Sequence, residues 1–436
     1  MSRSPRKTIL TVVVALLAAW IPAHASDEIP GGPQQTPIAL QGGTVHTGTG
    51  APIAGGTVVF DAGKITAVGA KVKLPPKCKV IDVKGKHVYP GFLDAYTQLG
   101  LVEVAAVRAT RDSSETGRIT PNVKSWVAVN PDSELIPVAR TNGVLMALSA
   151  PIGGLVAGQS AVITLDGWTS EDLTLKPHAG LHVNWPGRSS RIGKDGLSSD
   201  IRSLHEMFDH AKAHARRAAL NDPTIGIDAR WSSLAPVLKK EIPIIARADG
   251  EFAIRSAVAF AASRDLKVIV LGGYDAPRCA DLLKEHKVPV IVRSVYRLPR
   301  SSDDDYDAPY TLPERLRKAG IEFCIASADE PSNVRNLPFH AGTAVAYGLP
   351  RQDAIHAITL APAKIFGIDK RVGSLEVGKD ATLFVSNGDP LEIRSQVENA
   401  YVAGRVVDLS SRHVKLYEKY REKYRQQKAT KGKKRR

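Results

Sequence analysis

The stretch Val88–Leu101, VYPGFLDAYTQLGL, decides how the rest of the chain is read. A β-prone run enters Pro90-Gly91, passes the apolar pair Phe92-Leu93, and turns polar at Asp94, Tyr96, Thr97 and Gln98. A buried strand that ends at a polar mouth has this form. Its polar end supplies the first candidate ligand-binding residues, Asp94, Tyr96 and Gln98.

Working outward, apolar runs suited to buried parallel strands recur at Val144–Leu148, Ala161–Thr164, Ile242–Ala246, Lys267–Leu271, Val288–Val292 and Ile321–Ala326. Helical periodicity lies between several of them, at Ile201–Leu220, Phe252–Ser263, Ala276–His286 and Leu312–Ala319. Ser170–Asn221 otherwise gives no clear strand. The alternation predicts an α/β fold, a (β/α)8 TIM-like barrel over residues 89–369, with a doubly wound open sheet as the alternative.

Before the barrel, Pro37–Val88 reads as short strands with glycine turns at Gly42-Gly43, Gly55-Gly56 and Asp61–Lys64. Such a unit is too small to bury both faces alone. Ala381–Ser386 and Asn399–Val407 are strand-like and offer a partner. Residues 37–88 and 370–408 are therefore expected to form one composite β-sandwich.

The 436 residues are 43% hydrophobic, as in a globular protein, and the net charge is +15. That charge sits at the ends. Arg412–Arg436 holds 12 Lys/Arg against two Glu, and Arg3, Arg6 and Lys7 add three, leaving about +2 for the rest. Residues 1–25 resemble a signal peptide, with a basic start, the apolar run Ile9–Ile21 and the small-x-small end Ala23-His24-Ala25. An exported protein, periplasmic or extracellular, is expected, with an uncleaved anchor as the rival. Cys78, Cys279 and Cys324 allow at most one disulfide. The basic tail, residues 409–436, suits an anionic envelope surface better than nucleic acid in an exported protein.

Three stretches carry a family resemblance. Val88–Leu101 resembles the first barrel strand of the amidohydrolase superfamily, PGFIDxHxH. ITLAPAKIFGIDKRVGSLEVGKDATLFV (Ile358–Val385) and GVLMALSAPIGGLVAGQSAVITLDG (Gly143–Gly167) are similar to segments of its imidazolonepropionase-like branch. The resemblance implies the barrel, the composite sandwich, homodimers and hydrolysis of non-peptide C–N bonds by one or two divalent metals such as zinc. It places the first-strand ligands at Tyr96 and Gln98, the fifth-strand ligand at Arg247 or Ala246 and the sixth-strand ligand at Gly272. Only the eighth-strand aspartate is kept, as Asp329.

An arginine repels a divalent cation, and one carboxylate with a phenol makes a poor zinc site. No cofactor is therefore expected, and the chain reads as a degenerate homologue. Asp94, Arg247, Asp249, Asp329 and Glu330 should gather near the barrel mouth, either as a salt-bridged plug or as a pocket for a small polar or anionic ligand. Two alternatives stand beside this. In one, Asp329 is the catalytic residue of a remaining C–N hydrolase, with atypical ligands such as His178 or His182 or with no metal. In the other, the chain attaches to an envelope through its tail. His205, Glu206, His210 and His214 flank an apolar helical stripe and read as a solvated helix flank.

Overall fold

The computed structural model describes residues 28–187, 198–220, 226 and 228–433. The signal-peptide reading of residues 1–25 lies outside them. Among the described residues, no helix is long and apolar enough to cross a membrane.

The chain opens with β1 (Ile38–Val45), β2 (Ile53–Asp61), β3 (Lys64–Gly69), β4 (Lys79–Asp82) and β5 (His87–Pro90). β2 and β3 form a hairpin closed by Ala62 and Gly63, both at positive φ, as a tight primed turn requires. The other glycine pairs are not turns. Gly43 lies opposite Gly56 within the β1–β2 ladder, and the register slips on either side of Gly43. A Cβ on Gly56 would lie 2.9 Å from Val45 Cγ2, so these glycines permit a bulge inside a packed sheet.

The barrel follows, as β6 (Phe92–Thr97), β7 (Val144–Ser149), β8 (Val156–Thr164), β9 (Thr174–Asn184), β10 (Ile244–Ala248), β11 (Val268–Gly272), β12 (Val290–Val292) and β13 (Phe323–Ile325). They lie side by side in chain order in one eight-stranded sheet. Ser327, just past β13, bonds to Asp94 of β6 and draws the two edges together. The TIM-like barrel is thus the observed fold, with one departure from strict β/α repetition. β8 runs antiparallel to both β7 and β9, joined to β7 by a short link rather than a helix. The expected parallel strand at Ala161–Thr164 is the end of that reversed strand. β9 was hidden in the sequence because Pro177, a left-handed His178 (φ 52°) and several register slips interrupt its alternation.

The barrel interior is filled by Leu93, Met146, Leu148, Ile245, Ile269 and Ile291, among others. A second apolar layer lies between strands and helices. The helix Ser199–Ala219 shows the pattern: Ser198 Oγ accepts the Ile201 N–H at 3.2 Å, and Ile201, Leu204, Met207, Phe208 and Ala211 turn inward.

The chain then returns through β14 (Leu383–Ser386), β15 (Val397–Val402) and β16 (Arg405–Val406). β14 pairs antiparallel with β5, so strands from both ends of the chain share one sheet, in the order β16-β15-β14-β5-β1-β2-β3. Its free β3 edge meets the segment leading into β14, where Ile65 N–H donates to Lys379 O and Ala381 N–H to Gly63 O. The sheet thereby curls over its own core of Leu40, Val58, Phe60, Leu383 and Tyr401. Phe384 projects the other way and meets Phe92 edge-on at 4.9 Å, fixing sheet to barrel.

Candidate functional site

Side chains at the C-terminal ends of parallel barrel strands converge where a TIM barrel builds its site. Inward alternation along β10 carries Ile245 into the interior and Arg247 to the mouth; along β12 it carries Ile291 inward and Arg293 to the mouth. Asp329 arrives from the segment after β13. Arg247 Nη2 donates to Asp329 Oδ2 at 3.3 Å, and Arg293 Nη1 donates to the same oxygen at 3.1 Å. Both arginines are partly open to solvent. Two guanidiniums against one carboxylate leave this trio one net positive charge.

Tyr96, 2% exposed, forms the floor. Its hydroxyl is turned towards Asp329 and Gln98, and burial, reinforced by the Asp329 charge, holds it above the usual phenol range. His182 of β9 lies beside it, the rings 5.9 Å apart. Its Nε2 is buried without a hydrogen-bond partner among the described residues. Burial first, and the Arg247 charge second, push this imidazole down to about 3, so it is neutral. A cavity of about 10 Å³ separates Tyr96, His182, Asn184 and Arg247, room for about one water. A larger molecule therefore meets the arginines from the solvent side.

The structure brings Tyr96, Gln98, Arg247 and Asp329 together and uses the other candidates elsewhere. Asp94 is fully buried in the barrel wall. Its Oδ1 accepts the N–H groups of Ser327 (3.1 Å) and Tyr96 (3.2 Å), and its Oδ2 accepts the Ser327 hydroxyl. Burial nevertheless pushes its carboxyl up to about 7. Asp249 is gripped by the fork of Arg297 at 2.9 and 3.1 Å. Glu330 is exposed and accepts from the Ser332 hydroxyl at 3.2 Å. His178 faces Gln159 and Trp126. Arg293 is a mouth residue outside the sequence candidates, although its place two residues after inward Ile291 in IVRS is a usable signal.

Metal ligation requires imidazoles or carboxylates converging on one point. Among the described residues, no three His, Cys, Asp or Glu side chains do so. The positions equated with ligands hold a phenol, an amide, a glycine and a guanidinium, and Asp329 has Oδ2 held by two arginines and only Oδ1 unpartnered among the described residues. At Gly272 (φ +108°) a Cβ would lie 2.6 Å from Asp249 Oδ1, so no larger side chain fits there without movement. This donor set does not fit a divalent cation.

A barrel flanked by a sheet drawn from both chain ends, with its polar residues at the strand ends, defines the class of fold used by amidohydrolases. The comparisons agree: the chain belongs to the amidohydrolase superfamily. The amidohydrolase family model matches residues 340–408. An amidohydrolase structure from Thermotoga maritima MSB8 is 27% identical, with TM-score 0.78, over 85% of this chain and 99% of that one. Amidohydrolase tasK of Hapsidospora irregularis is 21% identical over 80% of this chain, which spans only 39% of that relative's length. The imidazolonepropionase of Micrococcus luteus is 43% identical over 81 residues, 18% of this chain and 20% of that one.

Proposed function

We propose that this chain is a non-hydrolytic, ligand-binding member of the amidohydrolase superfamily. Its barrel mouth would hold a small polar or anionic molecule on the solvent side of Arg247 and Arg293, with Tyr96 and Gln98 supporting the clamp from below. The observation that carries the reading is the double guanidinium clamp on Asp329, at 3.1 and 3.3 Å. It occupies the one retained ligand position with positive charge, which suits an anion and opposes a metal. Metal analysis of the purified full chain by mass spectrometry, with a hydrolysis screen on cyclic amides, tests it. The expected result is substoichiometric metal and no turnover. Stoichiometric zinc, manganese or iron, or turnover lost in Asp329→Ala, would overturn it.

A second reading rests on a separate observation. The helix Arg412–Lys433 is largely exposed along its described side chains, with Tyr417, Tyr420 and Tyr424 at 63%, 48% and 58% amid lysines and arginines. Exposed aromatics among bases suit the surface of an anionic envelope. For an exported protein this would be an attachment element. Deleting Lys428–Arg436 should shift the protein out of envelope fractions, more so at raised salt; unchanged partitioning would dispose of the idea.

A further inference from the structure

A second cleft lies away from the barrel mouth. It has a volume of about 720 Å³ and lies between the loop His46–Pro52, which follows β1, and the helices Arg351–Ala357 and Leu360–Ile365. Leu93, at the start of β6, donates its N–H to Ile358 O at 2.9 Å. The cleft is therefore at the opposite end of the barrel from Asp329, where the composite sheet meets it. Its volume is in the usual range for small-molecule sites.

The lining is chemically one-sided. Arg351, Lys364, His46 and His356 supply basic groups, and Ile355, Leu360 and Pro52 supply apolar surface. Asp353 is the only acidic lining residue, and it also lies 3.9 Å from Arg317. Arg351 is held in place by an ion pair with Asp389. Lys364 is exposed; its charge helps Lys379 hold the Glu376 carboxyl low, but no carboxylate lies within ion-pair distance of it among the described residues. His46 is positioned from behind: its ring stacks on Tyr89 at 4.0 Å, and its Nε2 lies 3.0 Å from His87 Nδ1.

We propose that this cleft binds a small organic anion, its charged head set against Lys364, Arg351 and the two imidazoles and its apolar body against Pro52, Ile355 and Leu360. Such a ligand supplies negative charge to a lining in which basic groups outnumber the one carboxylate, Asp353. Both imidazoles are disfavoured as cations in the free cleft. Burial, then His87 and Arg351, lower His46 to about 4 against the opposing pull of Asp389. Burial, then Lys364, lower His356, against Asp353. An anion seated among them favours their protonated forms, so binding takes up protons and strengthens as pH falls.

Benzenesulfonate is a suitable probe because it carries an apolar ring and stays ionised throughout, so any pH dependence belongs to the protein. Titration calorimetry on the full chain should show saturable binding, tighter by about tenfold at pH 5.5 than at pH 8. Lys364→Ala and the pair Lys364→Ala/His356→Gln should weaken it progressively, Lys364→Arg should restore it, and the loss on Lys364→Ala should be the same in an Arg247→Ala background, which separates this cleft from the barrel mouth. Unchanged melting temperatures would show that these variants are folded. Equal binding of neutral benzenesulfonamide, or binding lost in Arg247→Ala but kept in Lys364→Ala, would overturn the assignment. So would the absence of binding.

Discussion

Arg293 Nη1 lies 3.1 Å from Asp329 Oδ2, on the same oxygen that Arg247 Nη2 reaches from 3.3 Å. The two arginines come from different barrel strands, 46 residues apart, and the carboxylate from the end of a third. Because all three are partly exposed, this triad contributes little to folding. Its consequence is electrostatic, since it fixes two guanidiniums at the mouth.

Asp329→Asn should therefore cost only about 0.5–1 kcal/mol of stability. The same change removes the carboxylate that competes with an incoming anion, so inorganic phosphate should bind several-fold more tightly. Urea denaturation and calorimetry, run side by side, check both. A large stability loss with no gain in phosphate affinity would contradict the account of the mouth.

Asp94 makes a pH prediction. Its buried carboxyl titrates at about 7, against about 4 in the unfolded chain. Between those values the folded state binds the extra proton, so stability falls as pH rises, by about 1.4 kcal/mol per unit. Asp94→Asn should flatten the stability profile across pH 5–7. Ser327→Ala removes the hydroxyl that donates to this carboxylate and should cost about 1–3 kcal/mol, with the greater loss on the alkaline side. Equilibrium denaturation at intervals from pH 5 to 8 reads out both.

Ala328 sits between these two features, with φ of 97°. A side chain is strained there, whereas glycine is not. Ala328→Gly should stabilise the fold by about 1 kcal/mol, visible as a higher denaturation midpoint without a changed slope.

Rebuilding a metal site offers a test of the strand alignment. Tyr96→His, Gln98→His and Arg247→His together restore three imidazoles around Asp329, but Arg293 would still hold the carboxylate. Adding Arg293→Met should tighten zinc binding by about tenfold over the triple variant, the effect of removing one nearby like charge. Zinc titration against a competing chelator measures this. Equal affinity in the two variants would show that Arg293 does not face the restored ligands.

Much of this molecule is legible in its residue order. The apolar runs mark the barrel strands because burial on both faces demands them, and the resemblance of Val88–Leu101 and Ile358–Val385 carries the superfamily. The positions of Tyr96, Gln98, Arg247 and Asp329 at the mouth follow from the same alignment. Arg293 needed only the two-residue alternation to be carried one step beyond β12.

What residue order could not decide was direction and partnership. An apolar strand reports that it is buried, not which way it runs, so reversed β8 looked like its parallel neighbours. Asp94, Asp249 and Asp329 are alike as sequence, yet one is sealed by Ser327, one held by Arg297 and one shared by two arginines. Those partners lie 36 to 233 residues away, and only barrel closure brings them within hydrogen-bond reach. Local pattern set the strands; the distances between charges came from the closed sheet.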